Sequence, residues 1–153
     1  MIAPSEVRIR AVEDDDLPTL LAHQDDPVAA AMAVFQTRDP EAFFRHWTKI
    51  RSDPTVVART IVVVDGTVVG NIVSWVEGGQ REVGYWIGRE FWGRGYATAA
   101  LRLLLAELPD RPLTAHVALD NIGSRRVLEH CGFARIGEAI ADDGVRESIL
   151  RLA

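Results

Sequence analysis

The chain has a single cysteine, Cys131, in 153 residues, so no intrachain disulfide can brace it. One thiol fits a reducing compartment and cannot build a zinc cluster. His23, His46, His116 and His130 show no ligand spacing, so no metal is expected. No apolar run approaches the roughly 18 residues of a membrane-spanning helix. The opening MIAPSEVRIR lacks the apolar stretch of a secretory signal. A cytoplasmic protein with no membrane partner is the expectation. Basic residues are outnumbered: 17 Lys and Arg against 22 Asp and Glu leave a net charge of −5. That balance argues against a nucleic-acid-binding face. Repeats, linkers and low-complexity tracts are absent too, so residues 1–153 are expected to form one domain. What remains is ordinary: 48% apolar and 25% charged residues, sufficient for a core of its own.

The apolar pattern sets out the elements in turn. VRIRAV, residues 7–12, alternates as a strand does. Glu13-Asp14-Asp15-Asp16 reads as the cap and solvated first turn of a helix that carries Leu17, Leu20 and Leu21 to Gln24. The alternative use of those acids is to attract a cationic amine. A short helix fits Pro27 to Met32. Asp39-Pro40-Glu41 opens another, with Phe43, Phe44 and Trp47, ending before Asp53-Pro54. The β-branched stretch 56–64 and the stretch 67–77 flank Asp65-Gly66, a two-residue hairpin signal. Gly78-Gly79 turns into a third strand, 82–88. A helix follows from about Gly95 to Leu108, then a strand at 113–119 and a helix from Asn121 to Cys131 with Gly132 beyond it. A hairpin about Asp143-Gly144 closes the chain. The order β-αα-βββ-α-β-α-ββ describes an α+β fold.

Residues 82–98, EVGYWIGREFWGRGYAT, carry the most chemistry. Val83, Tyr85 and Ile87 share one strand face, and Glu82, Gly84 and Trp86 the other. The strand runs through Gly93-Arg94-Gly95 into a helix start at Tyr96-Ala97-Thr98. Glycines let the backbone approach a ligand closely. The unpaired N–H groups and positive dipole end of a helix suit a phosphate. A dinucleotide-binding motif is excluded, because Thr98 stands at the third glycine position and no βαβ unit follows. A P-loop is excluded by the lack of Gly-Lys-Ser/Thr.

WGRGYATAAL, Trp92 to Leu101, is similar to the acetyl-CoA loop Q/R-x-x-G-x-G/A of the GNAT-superfamily N-acetyltransferases, with Trp92 where glutamine or arginine is usual. DNIGSRRVLEHCGF, Asp120 to Phe133, resembles that family's N-x-x-S-x-x-x-x-E-x-x-G-F helix. The two pieces lie about 25 residues apart, each after an expected strand, and the element order agrees over nearly the whole length. The chain thus resembles the branch of ribosomal-protein N-terminal acetyltransferases. The resemblance implies a mixed, mostly antiparallel sheet that splays into a V and is flanked by helices. It implies acetyl-CoA as co-substrate, with direct transfer of the acetyl group to a primary amine. The acceptor would be a protein N-terminus or a small molecule, and family habit adds a possible homodimer.

Residue by residue, the resemblance places Tyr85, Ile87 and Arg89 along the pantetheine and pyrophosphate path. The N–H groups of Arg94, Gly95, Tyr96, Ala97 and Thr98 surround the pyrophosphate. Asn121 opens the second motif, and Arg126, ahead of Arg125, is matched to the 3′-phosphate. The family's usual tyrosine acid would stand seven residues after Asn121, where this chain has Leu128. Ser124 is the nearest hydroxyl at a matching position, either facing the leaving thiolate or capping the helix. Glu82, at the start of the strand bordering the gap, is the candidate base, against a plain surface carboxylate. The oxyanion donor is expected near the Tyr85 or Ile87 N–H. His116 reads as a structural histidine and Cys131 as a packed thiol. Trp47, Trp75, Trp86 and Phe44 either line the acceptor pocket or fill the core. Acceptor specificity is assigned to residues 14–54. The missing tyrosine leaves a second possibility, a non-catalytic module that senses acyl-CoA.

Overall fold

The computed structural model describes residues 6–33 and 39–153. The chain runs through β1 (Arg8–Ala11), α1 (Leu17–Gln24), α2 (Pro27–Ala33), α3 (Pro40–Ser52), β2 (Val57–Val62), β3 (Val68–Glu77) and β4 (Gln80–Ile87). It continues with α4 (Tyr96–Glu107), β5 (Leu113–Ala118), α5 (Ile122–His130), β6 (Ala134–Ile140) and β7 (Arg146–Leu152). The first crossover therefore holds three helices, including the short one expected at Pro27 to Met32, which the order β-αα-βββ-α-β-α-ββ left uncounted. The short α2 stands as a separate helix because Asp26 accepts the Val28 and Ala29 N–H groups (2.9 and 3.3 Å) and Pro27 follows it directly. Residues 1–5 of the expected non-secretory N-terminus, and 34–38 of the expected specificity region, lie outside the described residues.

The strands form one seven-stranded mixed sheet ordered β1-β2-β3-β4-β5-β7-β6. All neighbours are antiparallel except β4 and β5. The β3–β4 turn is the two-residue Gly78-Gly79, both at positive φ, as a tight hairpin requires. The β2–β3 turn differs from the two-residue expectation. Val63 and Thr67 pair, Gly66 N–H bonds Val63 O at 2.8 Å, and Val64, Asp65 and Gly66 form a three-residue loop.

Period-two alternation gives the sheet two apolar faces. On one, α4 and α5 bury Ala100, Leu101, Leu104 and Leu128 against Ile61, Ile72, Val83, Leu113 and Leu150. On the other, Leu17, Leu20, Phe43 and Trp47 of α1 and α3 pack over Ala58, Val68 and Val73. The acidic run at 13–16 is only partly solvated. Asp16 is 4% exposed. It takes both Arg10 guanidinium nitrogens (2.7 and 2.9 Å), the Thr60 hydroxyl (2.8 Å) and the Glu13 N–H (2.9 Å). Asp16 thus ties the first helix to β1 and β2, which removes it from any role in attracting substrate.

The feature that positions the site is the β4–β5 junction. These parallel strands register only at Arg81↔Leu113 and Glu82↔Thr114, and beyond Glu82 they part. β4 stays with β3 as far as Ile87↔Gly70, while β5 follows β7 as far as Ala118↔Glu147. The sheet is forked, as the V required.

Candidate active site

A cleft of about 380 Å³ opens between the diverging strands. Its walls are Tyr85, Trp86 and Ile87 of β4, residues 91–98, Asn121, Ser124 and Val127 around α5, and Ala29 and Met32 of α2. Gly88 donates its N–H to Val69 on the β3 side at 2.9 Å. Alternation along the strand then turns the backbone N–H groups of Tyr85 and Ile87 toward the open edge. β4 thus offers a main-chain edge to a ligand, as β5 would have done had the strands stayed paired.

At the cleft mouth the chain passes Gly93 (φ 76°) and Gly95 (φ 80°) into α4. Both sit in the left-handed region, where a side chain is strained. The first α4 hydrogen bond runs from Ala99 N–H to Gly95 O at 3.1 Å. The N–H groups of Tyr96, Ala97 and Thr98 therefore precede the helical ladder and face the cleft with the positive dipole end. A Cβ at Gly93 would meet no atom within 4 Å, so that stretch of backbone is uncovered. Trp92 fixes the loop by donating Nε1–H to Ile87 O at 2.9 Å, and Arg94 lies over the Phe91 ring, 5.9 Å from its centre.

Other sequence-assigned residues fall in different places. Arg89 is not among the cleft walls, and its Nε pairs with Asp26 at 2.8 Å beside the start of α2. Arg126 is exposed on α5, outside the cleft walls. Asn121 caps α5 by accepting Ser124 N–H at 3.2 Å. That leaves the Ser124 hydroxyl free of capping duty, and it meets the Tyr85 hydroxyl at 2.8 Å. Leu128 is 1% exposed and belongs to the core. Of the aromatic candidates, Trp86 lines the cleft, Trp47 is core, and Phe44 and Trp75 are not among the cleft walls.

Glu82 sits at the apex of the fork and is 6% exposed. Its carboxylate touches His116 Nε2 at 3.2 Å, and His116 Nδ1 lies 3.5 Å from Glu147. Burial pushes the Glu82 carboxyl above the ordinary glutamate range, with Glu77 and Glu147 adding to the push and the His116 charge opposing it. Glu82 is therefore no surface carboxylate. The Glu82–His116 contact crosses the fork and went unread in the sequence, where the two residues stand 34 positions apart. Strand parity places each on the face away from α4, but only the β4–β5 register shows that they meet. His116 is the most open member of the trio, with a 37% exposed side chain. Among the described residues no group of acids, histidines and cysteine could hold a metal ion, and no helix is long and apolar enough to cross a membrane.

Comparison with known proteins follows the same lines. The family model described as an acetyltransferase (GNAT) domain matches residues 6–134. A Bacillus subtilis (strain 168) protein named "Putative ribosomal N-acetyltransferase YdaF" is 42% identical over 64 residues, 39% of this chain and 35% of its own length. The match thus spans about a third of that relative. Among solved structures, the spermidine N-acetyltransferase of Vibrio cholerae in complex with CoA and spermine has TM-score 0.81 at 18% identity, over 96% of this chain and 94% of that one. The ribosomal L7/L12 α-N-protein acetyltransferase RimL, in an apo crystal form, has TM-score 0.80 at 16% identity, over 97% and 90%. At such identities the structures speak for the fold.

Proposed function

The chain belongs to the GNAT acetyltransferase family, and from that premise we propose that it moves the acetyl group of acetyl-CoA directly onto a primary amine, a peptide N-terminus or a small-molecule amine. The observation that carries this reading is the fork between β4 and β5, with a helix start at its mouth and a buried carboxylate at its apex. The residues present fit the coenzyme. The N–H groups of Tyr96, Ala97 and Thr98 would hold the pyrophosphate, and the open edge of β4 at Tyr85 and Ile87 would bond the pantetheine amides. When bound, acetyl-CoA supplies an activated thioester.

The chain's own residues then have separate tasks. Trp86, Ala29 and Met32 line the cleft on the side of α1–α3 and enclose the acceptor. Glu82 takes the proton that the nitrogen loses, directly or through one water, and His116 passes it toward solvent. The Tyr85 or Ile87 N–H stabilises the oxyanion. Ser124 faces the leaving sulfur. Holding two reactants together in this cleft supplies several kcal/mol of the rate by itself. A protein N-terminal amine is the favoured acceptor, supported by the names of the B. subtilis relative and RimL. The spermidine enzyme keeps small amines in view.

The test is thiol release from acetyl-CoA with N-terminal peptides, polyamines and amino acids offered in parallel. Release is expected with at least one class, and with N-terminal peptides above the rest. Tight binding of acetyl-CoA with no release from any amine would favour the rival reading, an acyl-CoA sensor, which the buried Leu128 at the family's tyrosine position keeps in contention.

A further inference from the structure

The family position for a proton-donating tyrosine on α5 is Leu128, buried in the core. A tyrosine reaches the same helix from another element. Tyr85 on β4 places its hydroxyl 2.8 Å from the Ser124 carbonyl and 2.8 Å from Ser124 Oγ. Both residues line the cleft. We infer that Tyr85 is a positioning residue for the leaving sulfur: its hydroxyl donates to Ser124 Oγ and so turns the Ser124 proton into the cleft. The inference rests on the transferase reading.

Two hydroxyls bring two protons to this corner. If Tyr85 donates to the Ser124 carbonyl, its oxygen takes the Ser124 proton, which then points away from the cleft. If Tyr85 donates to Oγ, the Ser124 proton is released toward the cleft. The two arrangements differ by rotation about two C–O bonds, with no heavy atom displaced. The carbonyl keeps part of its bond, because both oxygens lie 2.8 Å from the Tyr85 hydroxyl and its proton can be shared between them. Asn121 holds the Ser124 backbone through its N–H, which leaves the side chain to answer Tyr85 alone.

The reaction balances without ionising either hydroxyl. The N–C bond forms, the C–S bond breaks, and the C–S electron pair stays on sulfur. The proton lost by nitrogen goes to Glu82. The thiolate accepts the Ser124 O–H hydrogen bond and takes a proton from solvent on release. Burial pushes the Tyr85 phenol well above its ordinary range, with its Ser124 contact opposing the shift, so the phenol keeps its proton.

The test reads affinity as well as turnover. CoA and desulfo-CoA are titrated into wild type, Y85F and S124A across the pH range in which the thiol ionises, followed by tryptophan fluorescence, to which Trp86 and Trp92 in the cleft wall contribute. Wild type should favour CoA over desulfo-CoA by ~10-fold more at the alkaline end than at the acid end, the size of a charge-assisted hydrogen bond. Y85F and S124A should each lose most of that gain while desulfo-CoA affinity stays within about twofold. In turnover, Y85F should lower kcat ~10-fold with the KM for acetyl-CoA little changed, and the double variant should be no worse than S124A. An alkaline gain retained in Y85F would overturn the inference. So would equal losses of CoA and desulfo-CoA affinity, which mark a packing role, or additive losses in the double variant. If no amine is acetylated at all, the affinity comparison still decides, so the two readings fail separately.

Discussion

Glu82 shows how one side chain becomes chemically useful by its place in a sheet. It pairs in register with Thr114 at the last point where β4 and β5 touch, so it is buried at the apex of the fork. Burial raises its carboxyl, and a raised carboxyl near the working pH is the better base. We expect kcat/KM to climb with pH through a value above the ordinary glutamate ~4.3, and Glu82→Gln to lower it by about 100-fold and remove that limb. An unchanged profile in the variant would dismiss the role. The same shift has a stability consequence. The fold holds the Glu82 proton more tightly than the unfolded chain, so that contribution is present below the unfolded range and lost as pH rises through the raised value. Glu82→Gln should therefore melt no lower than wild type at alkaline pH. Asp16 is the opposite case. Burial pushes it up, but Arg10, the Glu13 N–H and Thr60 outweigh burial and hold it below the usual range. Its stability is present above the unfolded value and lost as pH falls through the folded one. Asp16→Asn should cost about 2–4 kcal/mol in a denaturant titration near neutral pH. Glu82 was legible as a strand-start acid, whereas Asp16 read as solvated, because tertiary pairing with Arg10 and Thr60 leaves no local trace.

At the scale of elements, the helix starts were the most legible features, since their signals are local. Asp39 accepts the Ala42 N–H at 2.8 Å and Asn121 that of Ser124, as their positions before Pro40 and Ile122 predicted. The start of α4 is different, because Gly95 brings no side chain to cap its first N–H groups. Gly95→Asp would force a side chain into φ 80° and set a carboxylate against the phosphate. We expect acetyl-CoA affinity to fall at least ~100-fold by calorimetric titration, while Gly95→Ala, strained but uncharged, loses less. Normal affinity in a folded Gly95→Asp protein would remove α4 from the site. Arg89, just ahead of the 91–95 loop, illustrates what spacing cannot tell. The resemblance put Arg89 on the cofactor path, and nothing in the spacing announces its ion pair with Asp26 on a distant stretch of chain.

At the scale of the molecule, the fork divides the sheet into two arms, β1 to β4 and β5 to β6, joined at only two register positions. The fork was legible through the family resemblance alone, because strand composition says nothing about where pairing stops. Its consequence is mechanical. A ligand bonded along β4 and gripped by α4, with α5 on its far side, spans both arms and should couple them. At about one hundred times its Kd, acetyl-CoA adds ~2.7 kcal/mol to the native state, which raises the thermal midpoint of a chain this size by roughly 5–10 °C. Hydrogen exchange should show where that energy goes. Amides of β4 and of β5 and β7 are expected to gain protection together on binding, and Gly95→Asp should show neither the midpoint rise nor the protection. A gain confined to the β4 arm would mean that the coenzyme docks on one strand edge and leaves the fork unbridged, and a cleft of that kind could not present a thioester to an amine arriving over Glu82.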